Sequence, residues 1–473
     1  TEHTLLNAGF NLLGTSLAAQ EYWDNHRALD YLLTRKDIDP ERIGVYGSSG
    51  GGTQTAYYIG LDPRVKVAAI CSFFSTRERT MELQGPSDGC QHIPYEGREQ
   101  LEVPDFALMM APRPLLILSG KYDFVDLWGA QQGFAELQQC YKVLGVPEKV
   151  DMLTVETGHG LGTEKRQKLV SWFKRWLKDD QSPVKKSAQD RFRLSDMLCT
   201  TKGQVNVSMP GALSIMQENV NQLDEWASKR EAFLSKGKKT VQAKMLDLLG
   251  LKGLPDHKIR IEATGHDSMR EYEQYKFQLI REGEMPVPCI LIMPSRANAD
   301  SPVELRLQEE GKGTYLSEYA NLAAALTEGK ILLLADLRGL GETTDPAFYT
   351  DAKYWNREYR NAMVSMHIGR PIMGQRVVDI LTLLDFCSEH EFLKEHPVKV
   401  FANGIYGPVA IHAAYLDERI SSVEIKHSVK TWKEYIERPM QWDMYSNVLY
   451  GALKYYDLPD LIRLSNRPIR FAD

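Results

Sequence analysis

The chain has 473 residues, 43% of them hydrophobic and 25% charged, with a formal net charge of -6. That length predicts two or three domains rather than one, and the ordinary globular composition excludes a disordered or fibrous chain. A mildly acidic balance without a basic run argues against nucleic acid as a main partner. No apolar stretch is long enough to span a bilayer.

In chain order, Arg27-Ala28-Leu29-Asp30-Tyr31-Leu32 reads as part of a helix, and Asp39-Pro40-Glu41-Arg42-Ile43-Gly44 leads into an apolar run. No leader segment is read at Thr1, and the chain reads as beginning inside a domain. Gly47-Ser48-Ser49-Gly50-Gly51 is a G-x-S-x-G pattern between that run (Ile43, Val45) and a helix expected over Thr53 to Gly60. A nucleophile elbow is such a strand-to-helix turn, holding a serine in a strained, exposed conformation. Flanking glycines admit backbone where a Cβ would clash. A Gly/Ser-rich turn without chemistry is the alternative, and the flanking strand and helix weigh against it.

Two later residues complete a triad with Ser49. Leu115-Leu116-Ile117-Leu118 reads as a buried strand, followed by Ser119-Gly120-Lys121-Tyr122-Asp123. Val150 to Val155 reads as another, followed by Glu156-Thr157-Gly158-His159-Gly160. The order Ser49, Asp123, His159 is the Ser…Asp…His order of α/β-hydrolases. A serine hydroxyl needs an imidazole to take its proton, and the imidazole needs a carboxylate to fix its tautomer. Asp126 competes as the acid; a turn or helix-cap role suits it better. The Gly50 N–H is the expected oxyanion donor. The second donor normally comes from the loop after an early strand, which this half lacks. Glu309-Glu310-Gly311-Lys312-Gly313 is a candidate, by circular permutation, although a fragment is the preferred reading. The Ser87–Arg98 loop and Trp128 offer Gln91, His92, Tyr95 and Trp128 as substrate-binding candidates, with buried packing as the alternative for the aromatics.

The Arg27-to-Leu32 and Asp39-to-Gly44 segments, the Ser49 elbow, Leu61-Asp62-Pro63-Arg64-Val65, Ala111-Pro112-Arg113-Pro114-Leu115-Leu116 and the Gly120-to-Asp123 turn together resemble the acetyl xylan esterase-like group of the α/β-hydrolase superfamily. The resemblance covers residues 1 to about 178. It implies an α/β-hydrolase fold, a mostly parallel sheet with helices on both faces. It also implies deacetylation of plant polysaccharide or oligosaccharide through an acyl-enzyme, without a cofactor, and a secreted or periplasmic location. The partners expected are an acetylated saccharide or other small ester, with an oligomer left open.

Beyond residue 180 the chain repeats itself. Gln20, Asp24, Leu29, Asp30, Leu61, Asp62 and Arg64 recur 355 residues later as Gln375, Asp379, Leu384, Asp385, Leu416, Asp417 and Arg419. Pro104-Asp105 recurs as Pro459-Asp460, and Arg113-Pro114, one residue closer, as Arg467-Pro468. Two tandem hydrolase units follow, over 1–180 and 261–473, the first lacking its early strands. A linker (Gln181-Ser182-Pro183-Val184-Lys185-Lys186-Ser187) and a helical stretch over 211–250 fill 181–260. Strands are expected over Pro286–Met293, Val303–Leu307 and Lys330–Asp336, and the second unit's acid-bearing strand is cut off at Asp473. At the same offset Gly404 stands for Ser49, so the second unit has no nucleophile. His266 falls before these strands and reads as a turn residue.

The six cysteines, Cys71, Cys90, Cys140, Cys199, Cys289 and Cys387, are scattered without a C-x-x-C, so neither a zinc site nor a disulfide framework is read from them. Three functions compete: a serine ester hydrolase acting on acetylated sugars, a serine peptidase of the prolyl oligopeptidase kind, and a non-catalytic carbohydrate-binding or scaffold protein. No propeller-like run of short repeated strands, usual in that peptidase kind, is visible.

Overall fold

A computed structural model describes residues 2–184, 192–346, 353 and 355–472. Lys185-Lys186-Ser187 of the expected linker and the terminal Asp473 lie outside the described residues. Two compact units emerge, one from residues up to 7 together with 16–217, the other from 8–15 together with 218 onward.

The first unit takes the residues of α1 (Glu2–Leu12) up to 7 and all of α2 (Leu17–Leu33) ahead of its sheet. Strand β1 (Gly44–Ser48) turns into α3 (Gly50–Ile59), followed by β2 (Val67–Cys71), α4 (Arg77–Gln84), α5 (Val103–Leu108), β3 (Leu115–Gly120), α6 (Leu127–Val143), β4 (Val150–Val155), α7 (Thr163–Lys178) and the single turn α8 (Val205–Ser208). The four strands pair in the order β1-β2-β3-β4, all parallel. Successive side chains of a strand face opposite sides, and here both sides are covered. Ala68, Ile70, Leu115 and Ile117 pack with Ala56, Ile59, Ala107 and Leu137 from α3, α5 and α6. Val67, Ala69, Leu116 and Leu118 pack with Leu169 and Trp172 of α7. A parallel sheet needs apolar runs on both faces, which is why β2 and β3 read as continuous hydrophobic stretches. No described strand precedes β1, as expected.

The second unit contains α9 (Ile215–Leu234) and α10 (Lys238–Leu248), then β5 (Arg260–Ser268), β6 (Tyr272–Ile280), β7 (Val287–Pro294), β8 (Val303–Leu307), α11 (Lys312–Ser317), α12 (Tyr319–Thr327) and β9 (Ile331–Ala335). It continues with α13 (Tyr359–His367), α14 (Ile372–Glu389), β10 (Val398–Asn403), α15 (Tyr406–Leu416), β11 (Ile420–Lys426), α16 (Lys433–Glu437), α17 (Leu458–Leu464) and β12 (Ile469–Phe471). The sheet order is β12-β11-β10-β8-β9-β7-β6-β5. Strands β12 through β9 are parallel, and β7, β6 and β5 antiparallel. The helical stretch over 211–250 is two helices, broken at Gly237, whose φ is +93°.

One expectation is corrected. His266 is not in a turn but within β5, where it bonds Glu273 at 2.7 Å and stacks on Tyr275. β5 alternates polar and apolar residues over Arg260-Ile261-Glu262-Ala263. That is the pattern of a half-exposed edge strand, and Gly265 and Asp267 obscure it.

Matching geometry recurs at the 355-residue offset. Arg64 grips Asp62 and Asp30, each at 2.6 Å, and Arg419 grips Asp417 at 2.6 Å and Asp385 at 2.7 Å. Asp105 and Asp460 are the N3 residues of capping boxes opening α5 and α17. Ser72 and His427, each following a strand, both have φ +50°.

Candidate active site

Ser49 stands between β1 and α3 with φ 58° and ψ -123°. This is a region L-residues rarely adopt, and holding a serine there costs of order 1–3 kcal/mol. The surroundings enforce it. The Ser49 N–H donates to the Cys71 carbonyl at 3.0 Å, and the Thr53 N–H to the Ser49 carbonyl at 3.0 Å. A Cβ on Gly47 would strike the backbone of Gly51, and one on Gly52 would lie 2.7 Å from the Cys71 carbonyl oxygen. Ser48 is the last residue of β1, in register with Cys71. Gly50 is the first residue of α3. Its N–H is among those a helix start leaves without an intrahelical acceptor, and the helix dipole adds positive potential there.

Asp123 and His159 meet beyond the ends of β3 and β4. The two strands continue to pair past their ends: the Lys121 N–H donates to the Val155 carbonyl at 2.8 Å and Tyr122 N–H to Thr157 at 3.1 Å. Gly120 permits this, since a Cβ there would lie 2.6 Å from the carbonyl oxygens of Thr157 and Gly158. Asp123 and His159 are thereby joined, Oδ1 to Nδ1, at 2.8 Å. The Asp123 side chain is buried and that of His159 partly exposed. Burial pushes the Asp123 carboxyl up. The hydrogen bond from His159, the Val125 N–H and the Ser72 hydroxyl outweigh it, so the net pKa lies below the usual aspartate value. Asp126 is engaged elsewhere: it is the N-cap of α6, accepting the Gly129 N–H at 2.7 Å and pairing with Arg79 at 3.3 Å.

Asp123 and His159 are thus in contact, while no hydrogen bond joins His159 to Ser49. Asp123 engages Nδ1, so Nε2 is the imidazole atom available to a serine hydroxyl or a substrate. The segment Glu309–Gly313, considered for the second oxyanion donor, is engaged within its own unit. There Glu309 accepts the Ile405 N–H at 3.2 Å, and Lys312 donates through both its backbone N–H and its ammonium to Asp336, each at 2.6 Å.

Three residues that sequence reasoning missed support His159 and its loop. The Ser72 hydroxyl accepts the Gly160 N–H at 3.0 Å and the Lys165 ammonium at 3.2 Å, anchoring the His159 loop. Lys165 is buried and also donates to the Gly160 carbonyl at 3.0 Å. The Phe124 ring stacks on the His159 imidazole with centroids 4.2 Å apart. A lysine inside an otherwise apolar helix stripe was the signal for Lys165; Ser72 offers none beyond its place after a strand.

The expected saccharide contacts are scattered in character. Trp128 is 55% exposed, with the Arg79 guanidinium 5.2 Å from its ring, so it is not a core aromatic. His92 is fully buried and presents no surface to a ligand. The backbone carbonyl of Gln91 accepts from the Tyr57 hydroxyl at 2.9 Å and from Arg77 at 3.0 Å. Tyr95 is half-buried under Arg98, 4.0 Å from the ring centroid.

In the second unit, Gly404 stands in a strand-to-helix turn of similar shape. Gly404 has φ +60°, and its N–H donates to Lys426 at 3.0 Å, as that of Ser49 does to Cys71. The Glu309 carboxylate fills the space where a Cβ would be. A cavity of about 450 Å³ opens beside it, lined by Glu309, Gly404, Ile405, Trp442 and Asp443 among others.

Residues 13–180 match the model of the prolyl oligopeptidase family. Those residues form an α/β-hydrolase unit. A Bacillus subtilis (strain 168) protein named "Putative hydrolase YtaP" is 26% identical over 168 residues, 35% of this chain. The match spans 56% of that protein's length. Among solved structures, one titled "putative acetyl xylan esterase" from Bacteroides fragilis is 13% identical, with a TM-score of 0.45 over 55% of this chain and 75% of that one. Acetyl xylan esterase 1 from Thermoanaerobacterium sp. is 15% identical, with a TM-score of 0.33 over 50% and 77%. The α/β-hydrolase unit accounts for the parallel order β1-β2-β3-β4 and for helices on both faces of that sheet.

Proposed function

We propose that the first unit is a serine hydrolase of carboxylic esters that removes acetyl groups from plant polysaccharide or oligosaccharide. The observation that carries this reading is Ser49 held at φ 58° in a strand-to-helix turn, in one sheet with an Asp123–His159 pair at 2.8 Å. In the mechanism, His159 Nε2 takes the Ser49 proton as Oγ attacks the ester carbonyl. The Gly50 N–H, at the start of α3, stabilises the developing oxyanion. Asp123, acting through Nδ1, stabilises the imidazolium, which then protonates the departing sugar alkoxide. Water, activated by the same imidazole, releases acetate from Ser49 and restores the enzyme. The recurrence at 355 residues supports reading the second unit as a degenerate copy without catalysis.

A serine peptidase of the prolyl oligopeptidase kind is the second reading, favoured by the family match over 13–180. Turnover of a minimal acetyl ester and an acetylated xylo-oligosaccharide, set against a peptide amide, tests the choice. Ester turnover that Ser49→Ala abolishes and Ser48→Ala largely keeps is the expected result. Equal losses in the two variants would refute Ser49 as nucleophile, and preferential amide cleavage would favour the peptidase. Polysaccharide binding without any turnover would point to a carbohydrate-binding or scaffold protein.

A further inference from the structure

Away from Ser49, the first unit gathers a second set of reactive side chains. His3 comes from α1, Glu21 from α2, and Cys90 from the short turn Gly89–Gln91. His3 Nδ1 lies 3.2 Å from Cys90 Sγ and 3.7 Å from Glu21 Oε1. One ligand atom from each of the three lies within 4.8 Å of the others. A tetrahedral Zn²⁺ with nitrogen, oxygen and sulfur at about 2.0–2.3 Å has donor–donor edges of roughly 3.3–3.6 Å. The two measured separations bracket that range, so small side-chain shifts would seat an ion.

The donor types narrow the metal. One thiolate, one imidazole and one carboxylate suit a borderline-soft divalent ion, and the hard all-oxygen preference of Mg²⁺ and Ca²⁺ does not fit. Cys90 is buried and the Glu21 side chain only 15% exposed, while His3 is half exposed and leaves a way in. The framework is partly set: the Gly89 N–H donates to Thr4 Oγ1 at 3.0 Å, holding the start of α1 against the Cys90 turn.

We propose that His3, Glu21 and Cys90 form a zinc-type site, with a fourth position left to water, that fastens α1, α2 and the 89–91 turn to one another. On binding, the Cys90 thiol gives its proton to solvent and the metal–sulfur bond replaces it. The sequence concealed the site because its three donors stand far apart without a motif. The proposal is independent of the reading of Ser49.

Cobalt(II), a spectroscopic stand-in for zinc, tests it in the full chain after chelator treatment and removal of any affinity tag. The expected result is one equivalent of Co²⁺ giving a thiolate-to-cobalt charge-transfer band that Zn²⁺ displaces. Cys90→Ser should abolish the band, and Glu21→Gln should weaken binding by at least about tenfold. His3→Gln covers the case in which Cys90→Ser misfolds, because a half-exposed side chain can be replaced without disturbing the core. It should likewise weaken binding, and it should remove the rise in Tm that Zn²⁺ gives the parent protein. A wild-type chain without the band, or a band unchanged by Cys90→Ser and His3→Gln, overturns the site and assigns any bound metal to other cysteines.

Discussion

The Glu309 carboxylate accepts the N–H of Ile405, the residue that follows Gly404 as Gly50 follows Ser49. The N–H that corresponds to the proposed oxyanion donor of Gly50 is thus bound by the protein's own carboxylate, which Arg357 steadies from 3.4 Å. Restoring a serine therefore should not restore chemistry. In a Ser49→Ala background, Gly404→Ser is expected to give no ester turnover. It should also destabilise the second unit by about 1–3 kcal/mol, since φ is +60° and the new Cβ meets Glu309. Adding Glu309→Ala removes the collision, so the two changes should be non-additive by about 1 kcal/mol or more in a double-mutant denaturation cycle. Strict additivity would mean that Glu309 does not occupy the turn in solution.

Asp123 and Asp126 differ in partner and so in consequence. Asp123→Asn forfeits the carboxylate that fixes the His159 tautomer and is expected to lower kcat by about 10⁴ with the fold retained. Asp126→Asn keeps a capping side chain and should leave kcat within a few-fold, because Asp126 bonds the Gly129 N–H and Arg79 rather than His159. Steady-state kinetics on a minimal acetyl ester decides it; a larger loss in Asp126→Asn would reassign the acid. Because the folded Asp123 pKa is lowered, its contribution to stability is present above the ordinary aspartate range. It fades as pH falls through the lowered value.

Much of this was legible in the chain itself, for identifiable reasons. β4 and β8 match their expected limits, because short apolar runs bounded by turn residues carry few other meanings. The places of Ser49, Asp123 and His159 on turns beyond strands were visible because each follows such a run. The pairing of Asp126 with α6 was visible as a cap signal. What stayed hidden depends on long-range contact. His92 reads as a polar loop residue, and only the fold buries it. Ser72 acquires its role from Gly160 and Lys165, some 90 residues away. Glu309 meets Gly404 across parallel strands whose order no local pattern encodes. β5 escaped notice because an edge strand needs no continuous apolar run.

His412 predicts a pH dependence in the second unit. It is fully buried, with Nδ1 2.7 Å from the Pro408 carbonyl and Nε2 3.2 Å from the Tyr456 hydroxyl. The ring is therefore neutral, donating through Nδ1 and accepting at Nε2. Burial holds its pKa down to about 4, against the Pro408 contact, which raises it. Between pH 4 and 6.5 the unfolded chain binds a proton that the folded chain refuses. Stability is then complete above about pH 6.5 and falls as pH drops toward 4, by about 3 kcal/mol from this group. Denaturant midpoints measured across that window should show the decline, and His412→Gln should flatten it. An unchanged slope in the variant would mean that His412 is charged or solvated in the native state.

Trp128 is the most exposed of the four expected substrate contacts. It lies in the first turn of α6, five residues past Asp123, and its ring is 55% exposed, with Arg79 5.2 Å away. Flat aromatic faces hold sugar rings by apolar and C–H contact, and an exposed indole beside the Asp123 turn offers such a face. Removing it should cost little stability. Loss of a surface side chain is worth about 0.5 kcal/mol, and an exposed cation–π contact about 0.5–1 kcal/mol. If Trp128 holds the saccharide, Trp128→Ala raises KM for an acetylated oligosaccharide several-fold and leaves KM for a minimal acetyl ester nearly unchanged, because the small substrate never reaches the ring. The paired KM values, with Tm as control, read this out. Equal changes on both substrates would place Trp128 outside the sugar subsite, and a large fall in Tm would show that the Arg79 contact, not ligand binding, is its purpose.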